Sequence, residues 1–522
     1  MARNKETLLR DFHEAKWDEP IIYEMSTPGE RGIIPPAADS QIVEEIPDVE
    51  NLIPEALRRK KAPDLPEVGQ MRVNRHYMRL SQETMGDDVS VDIGEGTCTM
   101  KYSPKIQEHI AAHNHKITDI HPMQDPSTMQ GILEIYYEVE RYMKSISGMD
   151  CFCFQPGGGA HAVFTNASIV RKYFRDRGED RDEIITTIFS HPCDAGSPAT
   201  AGFKVIDLMN DPVQGYPTLE AFKAALSERT AAIFITNPED TGLFNPRIKE
   251  YVEAAHAAGA LAVYDQANVN GIMGITRARE AGFDLIHYNL HKTFSSPHGG
   301  MGPGCGAIGA REELRDYMPV PRVVKNADGT FDLDWNGSEH TIGQVRSYFG
   351  NAQVVLRAYM WLRSLGPDGV REAAMCAVLN NQYMIKQIEK IKGVTMYYGE
   401  GKRRIEQCRY SWEQLQKDTG LGADDILRRM VDYGCEHYWE SHHPHIVPEP
   451  FTLEPTDSFS KEDIDEFVAI MKKIAEECYE NPEIVRTAPH NAPCHGIRNY
   501  YEEDPEKIIC SWRQYKKAYG IE

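Results

Sequence analysis

AAIFITNPEDTGLFNPRIKEYVEAAHAAGALAVYDQAN (231–268) contains two short apolar runs, AAIFITNP (231–238) and ALAVYDQAN (260–268), joined by the helix-patterned RIKEYVEAAHAAGA (247–260). Strand, helix, strand at this spacing predicts a parallel sheet with helices on its faces, because a parallel neighbour is reached only by crossing over the sheet. DLIHYNLH (284–291) supplies a further strand. Sheets of this kind bind ligands at the carboxyl ends of their strands, so the polar residues that follow each apolar run carry the functional weight.

Outward from this segment, Ile132, Leu133, Ile135, Tyr136, Val139, Tyr142, Met143 and Ile146 recur at three- and four-residue steps, which predicts an amphipathic helix capped by Gly148. Cys151 and Cys153 lie in an apolar alternating run and are expected to be buried in a strand. Beyond Gly350 the pattern predicts long helices at 353–364 and 368–391, a strand at VTMYYG (394–399), and a late helix opened by Ser460 with Asp463 in a capping box. The expected organisation is an extended Pro- and Glu-rich arm over 1–75 that wraps a partner or the chain's own body, a large α/β domain over 76–350, a smaller C-terminal α+β domain over 351–485, and a tail over 486–522.

The 522 residues carry 57 Lys and Arg against 79 Asp and Glu, a net charge of −22, with 41% apolar and 26% charged residues. That is the balance of a folded globular chain. No apolar stretch of about 18 residues predicts a membrane span, and without a clustered basic surface no nucleic-acid partner is expected. The 11 cysteines show no C-x-x-C pair or zinc-like spacing, and MARNKETLLRDFHEAKW (1–17) has no apolar targeting core, so reduced thiols and a cytoplasmic location are expected.

In NLHKTFSSPHGGMGPGCGAIG (289–309), Lys292 stands at the end of a strand and precedes a Gly-rich turn. A lysine there can lose its proton and condense with an aldehyde. Asp265 ends the preceding strand and emerges at the same sheet edge. The pair suits pyridoxal phosphate, with lysine for the Schiff base and the carboxylate keeping the pyridine nitrogen protonated. Taken alone, it also fits a surface lysine and a loop-capping aspartate. QPGGGAHAVFTN (155–166) sets three glycines before a helical segment, and exposed N–H groups with the positive end of a helix dipole make a phosphate seat. Gly157, Gly159 and Ala162 also fit a loose dinucleotide pattern, but the acid such a site needs about 20 residues on is missing, since IITTIFSH (184–191) ends in His191. At that strand end His191 can stack on a cofactor ring, although a lone histidine also fits a satisfied core or loop residue. His442, His443 and His445 in HYWESHHPH (437–445) lack a carboxylate or cysteine at ligand-like helical spacing, so a loop at the mouth of the site is expected there and no metal.

The chain resembles the pyridoxal-phosphate glycine dehydrogenase (decarboxylating) family, the P-proteins of glycine cleavage systems, in the form of the cofactor-bearing second subunit. The resemblance runs through LPEVGQMRVNRHYMRLSQ (65–82), GTCTMKYSPKI (96–106), HPMQDPSTMQGILE (121–134), QPGGGAH (155–161), TNPEDTGLF (236–244), DQANVNGIMG (265–274), NLHKTFSSPHGGMGPG (289–304), TIGQVRSYFGN (341–351), HIVPEPFTLEPT (445–456) and ENPEIVRTAPHNAP (480–493). It implies a fold-type I, aspartate-aminotransferase-like enzyme with pyridoxal 5′-phosphate, in which Lys292 is the Schiff-base lysine and Asp265 pairs with the pyridine nitrogen. It further implies a catalytic His191, and cofactor contacts from Gly158, Gly159, Ala160, Asn237, Ala267, His291 and Thr293. The implied reaction decarboxylates glycine and transfers the aminomethyl group to the lipoyl arm of H-protein. The implied assembly is a homodimer, or a heterodimer or heterotetramer with a subunit-1-like paralogue.

Three stretches depart from the family. GGGAHAV (157–163) puts Val163 where a carboxylate is usual, SHPCDAGSPAT (190–200) keeps His191 but loses a Thr-Asn pair, and Thr97 replaces a serine. The alternative they raise is a divergent relative acting on another amino acid or without a lipoyl acceptor. A non-catalytic structural subunit is disfavoured by the presence of both Lys292 and Asp265.

Overall fold

Seven strands form the central sheet in the computed structural model: β1 (Cys151–Cys153), β2 (Glu183–Thr187), β3 (Lys204–Leu208), β4 (Thr230–Thr236), β5 (Leu261–Asp265), β6 (Leu285–Asn289) and β7 (Gly306–Ala310), in the order β1-β7-β6-β5-β4-β2-β3. β6, β5, β4, β2 and β3 are parallel, and β7 runs antiparallel to both β6 and β1. The structure describes all residues except 1–6, 8, 47, 87–88, 92, 95–100, 297–303, 436–437, 439, 444, 494–508 and 522. Thr97 and most of the glycine-rich tail after Lys292 lie outside the described residues.

Helices cover both faces of the sheet. On one face, α1 (Gln130–Ser147), capped by left-handed Gly148, packs Leu133, Tyr136 and Val139 in the same cluster as Ile233, Ile235, Tyr264 and Tyr288. On the other, α2 (Gly159–Asp176) packs Val163, Ala167 and Val170 with Phe234, Val263, Leu285 and both Cys151 and Cys153. Burial on both sides explains why these strands read as unbroken apolar runs. α3 (Cys193–Thr200) links β2 to β3, and α4 (Ile248–Ala257) links β4 to β5.

The two helices predicted after Gly350 form within α5 (Ala352–Ile388), separated by a kink where Gly366 adopts φ 66° and Pro367 follows. α6 (Lys461–Glu480) opens with the Ser460–Asp463 capping box. β8 (Arg322–Lys325) pairs with β9 (Phe331–Asp334), and β10 (Cys408–Ser411) with β11 (Pro450–Leu453). The strand expected at VTMYYG (394–399) does not form. Only Thr395 bridges to Ser411, because Gly393 at φ 92°, Tyr398 at φ 63° and Gly399 at φ 56° turn the chain away from any ladder.

The chain divides into two units, one of Met1–Leu9, Val91–Met430 and His437–Arg486, the other of Arg10–Ser90, Val431–Glu436 and Thr487–Glu522. The first holds all the strands found among the described residues. In the second, helix Gln70–Leu80 buries His76 against Glu19 at 3.0 Å, while Ile33, Ile34, Leu52 and Leu57 stay strongly exposed. No helix among the described residues is long and apolar enough to cross a membrane.

Candidate active site

Strand register sets the site. Thr236, Asp265 and His287 lie side by side across β4, β5 and β6, with Asp265 as the last residue of its strand. Asp265 is buried. Its Oδ1 accepts the Ala267 N–H at 2.8 Å, and its Oδ2 has no hydrogen-bond partner among the described residues. Burial works against its charge, but the His287 ring, the Ala267 N–H, His191 and Lys292 outweigh it and hold the carboxyl below its usual range. His287 Nε2 lies 3.2 Å from Asp265 Oδ1, and burial pushes the imidazole down in spite of that neighbour.

Lys292 lies three residues beyond β6 and is 5% exposed. Its charge reaches His191, Asp265, His442 and Glu454. Behind it, the Gly157–Gly159 turn leads into α2. A Cβ on Gly159 would sit 2.8 Å from Asn289 Nδ2, and one on Gly306 2.7 Å from the Gly158 carbonyl oxygen, so only glycine lets the ends of β6 and β7 press against this turn. Arg346 Nη1 lies 3.0 Å from where a Cβ of Gly157 would stand and is buried without a hydrogen-bond partner among the described residues.

The remaining expected residues divide into those that border this space and those that brace it. His291 is buried and its Nδ1 accepts the Cys305 N–H at 3.2 Å, with Gly158 beside its ring. Ala160 is exposed in the first turn of α2, its carbonyl accepting from Ser197 Oγ at 3.0 Å. Thr293 Oγ1 accepts from the Val269 N–H at 2.9 Å, Asn237 ties its side chain to the Asn245 backbone at 2.7 and 3.2 Å, and the Ala267 N–H holds Asp265.

His191 follows β2 by four residues, not at the strand end as read from sequence, and leads into α3. Thr187 and Ser190 close the intervening turn, their hydroxyls 2.9 Å apart and the Ser190 N–H on the Thr187 carbonyl at 3.0 Å. Burial and the Lys292 charge push the His191 imidazole down to about 4, so it is neutral at pH 7. His442 meets its ring edge-on at 4.9 Å, which brings the histidine-rich loop to the site, while His443 and His445 contact each other at 5.7 Å. Val163 is fully buried in the apolar cluster beneath α2, so that departure is absorbed by packing.

Sequence reasoning missed Asp194, His287, Asn289, Arg346 and Glu454. Glu454, just past β11, accepts from Asn268 and Asn270 at 2.7–2.8 Å, and burial pushes it up to about 7. His287 and Asn289 stood inside a run already identified as a strand. Asp194, Arg346 and Glu454 lie in stretches that carry the resemblance or depart from it, but no strand end or helical period there marks them as site residues. The set fits pyridoxal phosphate: an orphaned carboxylate oxygen for a pyridinium N–H, a buried lysine one strand over, and a helix start with a guanidinium for a phosphate.

Residues 157–324 match the aminotransferase class-V family, and residues 373–492 match the C-terminal domain family of glycine dehydrogenase. The "Probable glycine dehydrogenase (decarboxylating) subunit 2" of Pyrococcus furiosus is 43% identical over 97% of this chain and 98% of its own length. The protein of the same name from Caldanaerobacter subterraneus subsp. tengcongensis is 41% identical over 91% of this chain and 95% of its own. A crystal structure of glycine decarboxylase (P-protein) of the glycine cleavage system, in inhibitor-bound form, superposes with a TM-score of 0.69 at 19% identity, covering 85% of this chain and 100% of that one. A sphingosine-1-phosphate lyase from Burkholderia pseudomallei gives 0.61 at 14% identity, over 82% and 96%. Fold and site together define a fold-type I pyridoxal-phosphate enzyme. Within that class, the chain belongs to the glycine dehydrogenase (decarboxylating) subunit 2 family.

Proposed function

We propose that this chain decarboxylates glycine with pyridoxal 5′-phosphate and passes the aminomethyl group to the lipoyl arm of an H-protein. The observation that carries the reading is the buried, unpartnered Oδ2 of Asp265 at the end of β5, beside the strand that leads to Lys292. When bound, the cofactor supplies an electron sink for the bond to the departing carboxylate. Asp265 would accept the pyridine N–H and keep that nitrogen protonated, Lys292 Nζ would hold the aldehyde carbon, and the Gly157–Gly159 turn with the first N–H groups of α2 would bind the phosphate, Arg346 adding charge. His191, neutral at pH 7, offers an uncharged ring face. Burial of Lys292, Asp265, His291 and Thr293 excludes water from this end of the sheet.

Pairing with a second chain, either a copy or a subunit-1-like paralogue, would cover the exposed Ile33, Ile34, Leu52 and Leu57 of the N-terminal arm. An exchange assay with glycine, labelled bicarbonate and lipoylated H-protein, with and without a candidate first subunit, tests the reading. Label in the glycine carboxyl supports it. No label under either condition, together with turnover of a different amino acid, supports the divergent relative instead.

A further inference from the structure

The departure that reaches the site is Asp194, in α3. It is fully buried, and Thr236 Oγ1 donates to its Oδ2 at 3.1 Å. Its Oδ1 has no hydrogen-bond partner among the described residues, and neither has Asp265 Oδ2. A carboxylate oxygen of each aspartate and Cys193 Sγ all lie within 4.8 Å of one another. Two ionised carboxylates are acceptors only and cannot satisfy each other. With one proton between them they can.

The surrounding groups decide which acid keeps it. Toward Asp194 face Cys193 from its own helix, Thr236 from β4, Asp240 from the loop after β4, and Asp265 from β5. Burial, followed by the Asp265 charge, pushes Asp194 well above the usual carboxylate range. Asp265 instead has the Ala267 N–H, the His287 ring and, through space, His191 and Lys292. The stabilising groups cluster on Asp265 and the repelling ones on Asp194.

We propose that Asp194 is a positioning residue that stays protonated at neutral pH and donates its proton as a hydrogen bond to Asp265, so that the two carboxyls share one proton and present one negative charge to the cofactor nitrogen. Asp265 offers about four acceptor positions on its two oxygens, so the Ala267 N–H, the Asp194 O–H and a pyridine N–H can all be accepted. The cofactor's partner carboxylate would then be set by a neighbour that titrates, where an asparagine would supply a donor with no pH dependence. This consequence rests on the reading of Asp265 given above.

The test compares the holoenzyme with Asp194→Asn. The infrared difference spectrum at neutral pH should show a protonated-carboxyl band in the wild type that is absent in the variant. Glu239, Glu406 and Glu454, also raised by burial, cancel in the difference. An acid whose folded pKa is raised stabilises the fold fully below its unfolded value and loses that contribution as pH rises through the folded value. The melting temperature of the wild type should therefore fall relative to the variant, the gap widening by at least about 2 °C between about pH 5 and about pH 8. No protonated-carboxyl band in the difference, or a gap that does not change with pH, overturns the proposal. If the asparagine variant does not accumulate, Asp194→Ser supports the same comparison. Neither readout uses substrate, so a failed glycine exchange with an intact band removes only the substrate assignment.

Discussion

Two edges of the site are built differently. On the β5–β6 edge, Asp265, His287 and Asn289 are strand residues held in register with neighbours on either side, and Lys292 follows within three residues. On the α3 edge, His191, Cys193 and Asp194 sit beyond the end of β2, fixed by a turn and a short helix instead of a ladder. The ladder fixes the backbone and with it the direction in which each strand side chain leaves the sheet, whereas on the α3 edge a turn and a short helix set those directions. The first carries the features that define the class, and the second carries the departures that reach the site.

The comparison breaks most visibly if the laddered edge is dispensable. Lys292→Ala should fold, yet lose both turnover and the borohydride-reducible adduct, followed by mass spectrometry after reduction. An adduct on any other lysine would move the anchor elsewhere. Asp265→Ala comes next. Removing one partner of a buried charge pair costs about 3–5 kcal/mol, which is roughly 10²–10⁴-fold in affinity at about 1.4 kcal/mol per decade. Cofactor titration of the apoprotein measures it, and unchanged retention would reject the role.

Legibility in the sequence follows the same division. Asp265 and Lys292 could be read because an apolar run ends and a polar residue follows, and α2 because three glycines precede a helical period. IITTIFSH is apolar enough to read as β throughout, but Thr187 and Ser190 close a turn inside it, so His191 stands four residues beyond the strand instead of at its end. Val163 stood next to the phosphate seat in sequence, but at the four- and three-residue steps to Ala167 and Val170 it falls on the core-facing side of the helix. Arg346 reaches Gly157 from TIGQVRSYFGN, which has no period of its own. Only tertiary folding brings it there.

Beneath the α3 edge lies Glu239, accepting from Thr187 Oγ1 at 2.6 Å and from Asn210 Nδ2. Burial pushes it up to about 8 despite those hydrogen bonds. Its contribution to stability is fully present below its ordinary value of 4.5 and is lost as pH rises through about 8. Glu239→Gln should match the wild type in acid and exceed it in thermal stability by up to a few kcal/mol above about pH 8. A stability difference from the wild type that does not change with pH would show that Glu239 does not titrate in this range. On the laddered side, Gly306→Ala drives a Cβ to 2.7 Å from the Gly158 carbonyl oxygen and 2.8 Å from Ala162 Cβ. Overpacking of this kind costs about 1–3 kcal/mol, and because the displaced atoms belong to the start of α2, phosphate-dependent cofactor retention should weaken with stability. A variant that melts lower but binds pyridoxal phosphate normally would separate the turn from the seat.

The smallest expected effect is at His191. Its imidazole is neutral at pH 7 and borders Lys292, Asp265 and His442, so its contribution to a cofactor ring is that of an uncharged aromatic face. A phenyl ring preserves the face and discards the Nδ1 acceptor for the Cys193 N–H, which lies at 3.1 Å. Alanine discards both. If stacking is the role, cofactor affinity should fall in the order wild type, His191→Phe, His191→Ala, with the face itself accounting for about 0.5–1.5 kcal/mol between the last two. If His191→Phe is instead as weak as alanine, the Nδ1 bond that shapes the start of α3 is the part that matters. Both variants should keep the wild-type pH profile above about pH 6, because a group already neutral there has no proton to lose. A profile that flattens in His191→Phe would mean that the ring titrates in the working range, contrary to what its burial beside Lys292 dictates.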